Sequence, residues 1–129
     1  SLMGKTSLVV FWAQWLPLSM EMLADLSRLK EEMEKSGVRL QILGICTWDV
    51  GEALARYRKE FPSSEAKLYW DTTYQRNNTL SLSYRQFGVR GLPTVYLVGS
   101  DGKVLRGWVG AGKYNIEAIS RVIRSLIPE

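Results

Sequence analysis

Histidine is absent from the 129 residues, and cysteine occurs once, at Cys46. The first absence removes the commonest general base and metal ligand, so a Ser–His–Asp relay has no member to carry the proton. The second excludes an internal disulfide and every multi-cysteine zinc pattern. No run of about eighteen apolar residues exists to span a membrane as a helix, and the opening SLMGKTS lacks the charged, apolar and small-residue layout of a secretory leader. A strand begins almost at once, so this start is compatible with an upstream segment that carried a signal or anchor. One-signed charge is missing as well. The net charge of +4 arises from basic and acidic residues interleaved, as in SRLKEEMEKSG and ARYRKEF, which reads as solvated helix faces and argues against nucleic-acid binding.

What is present is enough apolar sequence, 46% of the chain, to bury one good core in a length too short for two ordinary domains. Residues 1–129 therefore read as one domain. Ser7 to Ala13 suits a buried central strand. Pro17 stands where a helix can start, and Leu18, Met22, Leu26, Leu29 and Met33 follow helical spacing until Gly37, a C-cap. Arg39 to Thr47 reads as a second buried strand, and Asp49 with Glu52 as a capping box for a helix ending near Phe61. A strand at Lys67 to Trp70, a polar loop DTTYQRNN, a short helix Leu80 to Phe87 stopped by Gly88, and strands Thr94 to Val98 and Val104 to Val109 follow. Asp101-Gly102 signals a hairpin between the last two. Asn115 is the expected cap of a final helix with Ile116, Ile119, Ile123 and Leu126 or Ile127 on one side. The order β-α-β-α-β-α-β-β-α implies an α/β sandwich, a mixed sheet with helices on both faces.

Three stretches resemble a known family. LVVFWAQW is similar to the first core strand and tryptophan turn of the thioredoxin fold, LYWD to its short strand ending in Asp, and YRQFGVRGLPTVYLVGSDGKVLRGWVG to its run through a cis-proline loop into the terminal hairpin. In order and at suitable spacing, they resemble the TlpA/ResA-type thiol-disulfide oxidoreductases, related to the broader AhpC/TSA group. That resemblance implies a three-layer thioredoxin-like sandwich, a location outside the cytoplasm and no cofactor.

Such enzymes carry Trp-Cys-x-x-Cys after the first strand, with an attacking thiolate at a helix start and a second thiol that resolves the mixed disulfide. Matched residue by residue, Trp15 takes the Trp, Leu16 the attacking Cys and Ser19 the resolving Cys. No sulfur stands at either position. A leucine cannot ionise, and a serine with no base beside it is a poor nucleophile. The acidic residue often found three places after the second Cys falls on Met22, with Glu21 one place earlier. The resemblance further implies a cis bond before Pro93, with Leu92 offering its backbone to a bound polypeptide as an added strand.

Two readings follow. The first is a redox-inactive module that binds a protein or peptide at Trp15, Leu18, Leu92 and Pro93, where Trp15 and the leucines 16, 18 and 92 form an exposed apolar patch or else fold inward over the core. The alternative is residual one-cysteine reductase or peroxidase chemistry at Cys46, which instead reads as a small buried hydrophobe if it packs within its strand. Trp12, Trp48 and Trp70 are expected to pack, and Trp15 to be partly exposed near the turn.

Overall fold

Alternating apolar residues in the first strand send side chains to two opposite faces, and both faces are covered. In the computed structural model, which describes residues 5–73 and 77–126, strand β1 (Thr6–Trp12) lies at the centre of a five-stranded sheet. It is followed by α1 (Pro17–Lys35), β2 (Leu40–Cys46), α2 (Glu52–Glu60), β3 (Lys67–Trp70), a 3₁₀ turn at Asn78–Leu80, α3 (Leu82–Phe87), β4 (Thr94–Val98), β5 (Val104–Val109) and α4 (Lys113–Arg124). The sheet order is β3-β2-β1-β4-β5. The β1–β2 and β2–β3 pairs are parallel, as helical crossovers require, and β1–β4 and β4–β5 are antiparallel.

Leu8, Val10 and Trp12 point to one face, where they join Met20, Leu23 and Leu26 of α1, Ala53 and Tyr57 of α2, and Ile119 and Ile123 of α4 in the main core. Val9 and Phe11 point to the other and meet Trp48, Val89 and Val98, with Tyr84 of α3 and Leu92 packed against them. Each fully buried Leu, Ile or Phe contributes about 1.5–3 kcal/mol of transfer free energy.

Local signals explain the boundaries. Pro17 occupies the first turn of α1, where no amide is needed. Gly37 follows that helix at φ +91°, and Gly88 closes α3 at φ +69°, left-handed conformations that glycine adopts without steric cost. The β4–β5 hairpin turns on Gly102 (φ +84°), whose amide donates to Gly99 O at 2.9 Å.

Two expected caps are not caps. Helix α2 starts from Gly51 with no side-chain cap, because the Asp49 carboxylate is directed back toward β1 instead. Helix α4 starts from Gly112. Asn115 lies inside it and donates from Nδ2 to Val109 O at 3.0 Å and Gly110 O at 2.7 Å, tying the helix to the end of β5. Part of the expected loop DTTYQRNN, and Ile127 of the last apolar stripe, lie outside the described residues.

Candidate functional site

Parallel strands carry their C-terminal ends to one end of the sheet, and the turns that follow β1, β2 and β3 gather there with the segments before β4 and after β5. The last β1–β4 pair is Phe11↔Thr94, so Leu92 and Pro93 immediately precede the paired part of β4 at this end of the sheet. On the other side Gly110 N donates to Pro93 O at 2.8 Å. The Leu92–Pro93 peptide is cis. Pro93 is buried and Leu92 half-buried. Neither the amide nor the carbonyl of Leu92 has a hydrogen-bond partner among the described residues.

The turn opposite is held shut from within. Leu16 is the N-cap of α1 at φ −121°, ψ 86°, and it offers no side-chain oxygen to the first-turn amides. Ser19, at the third helical position, ties the preceding turn together instead. Its buried hydroxyl accepts Ala13 N at 3.1 Å and has Leu16 O (2.7 Å) and Ala13 O (2.9 Å) within donating distance. The hydroxyl is thus absorbed by the backbone of the turn, with no base near it to make a nucleophile.

A second clamp comes from the turn after β2. Asp49 accepts Gln14 N at 2.6 Å on Oδ2, and Gln14 Nε2 (3.1 Å) and Val50 N (2.8 Å) on Oδ1. Trp15 donates its indole N–H to Trp48 O at 2.9 Å while 56% of the residue stays exposed, so the ring is fixed in place with a face open to solvent. Trp48 is buried with φ +58°, a left-handed conformation that costs a bulky residue of order 1–3 kcal/mol. Its indole N–H donates to Ser81 Oγ at 3.0 Å, which helps hold it there. Trp70 is less buried than a packing residue would be, at 43% exposed, yet its ring lies over Gly51 and its indole N–H donates to Asp49 O at 3.2 Å.

Beneath these turns lies a polar staple that sequence reasoning missed. Thr47 Oγ1 lies 2.6 Å from Ser83 Oγ and donates to Asp71 Oδ2 at 3.1 Å, and Asp71 also accepts Ser83 N and both donors of Thr73. Burial pushes the Asp71 carboxyl up, but the bonds from Thr73, Ser83 and Thr47 outweigh it and hold the group below its ordinary value. The sequence signal for this staple is the Asp that closes LYWD.

The expected site residues separate into two groups. Leu18, 58% exposed, lines a shallow depression with Ala111, Gly112, Lys113 and Ile116 at the start of α4. Leu92 is half-buried and packs against the Phe11 and Trp48 cluster. Leu16 is half-buried. The exposed apolar elements are therefore Trp15 and Leu18, not a continuous four-residue patch. Met22 is buried in the core and Glu21 exposed, so no carboxylate lies beneath the turn on that helix face.

Cys46 ends β2 with no solvent exposure. Burial, with a smaller contribution from Asp49, pushes its thiol up to about 12, so at neutral pH it is not a nucleophile.

Residues 4–104 match the thioredoxin-like family model. No curated protein sequence shows significant similarity to the chain. Solved structures do. A protein of Chlorobium tepidum described as a thiol:disulfide interchange protein DsbE superposes with TM-score 0.79 at 21% identity, over 98% of this chain and 83% of its own. A thiol-disulfide oxidoreductase from Bacteroides fragilis gives 0.69 at 25% identity over 96% and 82%. A secreted disulfide oxidoreductase of Mycobacterium tuberculosis gives 0.67 at 15% over 96% and 84%. None of the described helices is long and apolar enough to cross a membrane. With its strand order, tryptophan turn and family match in agreement, the chain belongs to the thioredoxin-like family, on a fold shared with solved thiol-disulfide oxidoreductases.

Proposed function

We propose that this protein is a redox-inactive binding module that receives an extended polypeptide segment across the Trp15–Leu92 cleft. The observation that carries the reading is the unpartnered main chain of Leu92, set beside a turn that holds Trp15 rigid and carries no sulfur. An extended segment laid along Leu92 gains strand-like hydrogen bonds without competing for internal ones. Trp15 and Leu18 supply exposed apolar surface, and an aromatic ring already fixed by its indole bond loses little entropy on contact. Pro93 shapes the loop from beneath. Leu16 and Ser19 keep the turn closed in place of the two thiols, so the segment is bound and released without forming a mixed disulfide.

The reading also places the protein outside the cytoplasm, in a periplasm or at a membrane surface, as supported by the secreted neighbour. The Cys46 alternative finds no favouring observation, because the thiol is buried and protonated.

Chemical-shift mapping with a panel of extended apolar peptides tests the proposal. Saturable shifts at Trp15, Leu18 and the Leu92 amide are expected. A panel that leaves all three unmoved contradicts it.

A further inference from the structure

The end of the sheet remote from the cleft, roughly 20 Å away along β1, is marked by charge. Lys5 immediately precedes β1 and Arg39 precedes β2, and the first pair of that ladder, Thr6↔Leu40, brings the two cations side by side. Like charges at adjacent strand positions repel. Neither has a carboxylate within ion-pair distance among the described residues, and Lys67, which opens β3, has none either. Pairing of β2 with β3 begins only at Leu43↔Lys67, so among the described residues no strand lies on the outer side of β2 below Leu43.

The result is an open notch of about 530 Å³, lined by Lys5, Lys30, Arg39, Gln41, Glu65 and Lys67 among others. Gln41 is 5% exposed. Lys30 enters from α1 and is paired to Glu34. Glu65 is the second carboxylate on the rim. Four cations thus face two carboxylates, and one of those carboxylates is already engaged.

We propose that this notch is an anion site that takes a phosphate group, held chiefly by Lys5, Arg39 and Lys67. Three cations on three separate segments can reach a compact, multiply charged oxyanion from different sides. A guanidinium fork matches two phosphate oxygens at once, and the ammonium groups complete its neutralisation as point charges. An anion here also removes the repulsion between Lys5 and Arg39. The phosphate can belong to a soluble phosphate compound or to a phospholipid headgroup, since the contacting chemistry is the same.

The test titrates the protein calorimetrically with pyrophosphate at low and at physiological ionic strength, and in parallel measures co-sedimentation with vesicles of phosphatidylcholine alone or mixed with phosphatidylglycerol. Two variants accompany it. Lys5→Ala/Arg39→Ala/Lys67→Ala removes the notch cations, all exposed, and Arg58→Ala/Lys59→Ala/Arg121→Ala removes equal charge elsewhere. Saturable pyrophosphate binding that weakens with salt, falls more than about tenfold in the first variant and survives in the second identifies a soluble phosphate ligand. Binding confined to phosphatidylglycerol vesicles, with the same dependence on the variants, identifies a headgroup. No binding to either probe, or equal loss in both variants, overturns the proposal.

Discussion

Asp49 and Gln14 stand thirty-five positions apart in sequence, yet the carboxylate holds Gln14 twice, at 2.6 Å to its amide and 3.1 Å to its side chain. This pair joins the turn after β1 to the turn after β2, and it fixes Trp15 beside Trp48. Hydrogen bonds to a charged acceptor contribute about 1.5–3 kcal/mol each, so the pair helps hold the turn that carries Trp15.

Replacing Asp49 with Ala therefore leaves the Gln14 and Val50 amides without their acceptor. We expect a loss of about 2–4 kcal/mol in chemical denaturation, with a red shift of tryptophan fluorescence as Trp15 loosens. An unchanged midpoint contradicts the clamp.

Ser19→Ala removes the buried hydroxyl that serves Ala13 N. The expected cost is about 1–3 kcal/mol, the penalty for an orphaned buried donor. Thermal unfolding measures it, and the fold is expected to survive.

The Cys46 thiol is expected to resist a thiol-modifying reagent in the native protein and to react fully in denaturant. With its pKa at about 12 against 9.0 for a free thiol, the unfolded state ionises first. Stability from this group is therefore complete below about pH 9 and declines as pH rises toward 12. Rapid labelling of the folded protein at neutral pH contradicts the burial argument.

Asp71 works in the opposite direction. Its folded carboxyl is held below the ordinary value, so the stability it contributes is present above the unfolded pKa, near 4, and is lost as pH falls through the lower folded value. Denaturation midpoints followed downward from neutral pH should decline in this range. Asp71→Asn should flatten that decline.

Much of this architecture was legible in the sequence for a simple reason: strand and helix periods are set by burial, and burial leaves its mark on every second or every third and fourth residue. The hairpin at Gly102 and the stop at Gly88 were legible because glycine answers a backbone requirement that is local. The misread residues share the opposite property. Asp49 and Asn115 carry short polar side chains at positions where a helix cap is plausible, and both were drawn away by partners in other segments that no local pattern reveals. The left-handed conformation of Trp48 has no sequence signature, because tryptophan is not a residue that favours it. Whether Leu18 and Leu92 form one exposed patch or fold inward was left open by the sequence, because the answer depends on tertiary packing: Leu92 packs against the Phe11 and Trp48 cluster, while Leu18, on the first turn of α1, stays exposed. The chemistry of the turn was readable at once, since Leu16 and Ser19 lack the sulfur by identity; only the structure shows that Ser19 is tied to the turn's backbone.

The most direct measurement is reductant-driven insulin disulfide reduction by the natural protein beside a Leu16→Cys/Ser19→Cys variant. The account predicts a silent natural protein and turnover in the variant, whose first thiol sits at the start of α1 where the helix dipole favours a thiolate. Turnover by the natural protein that stops on Cys46→Ser contradicts the account and makes this an enzyme with a displaced thiol.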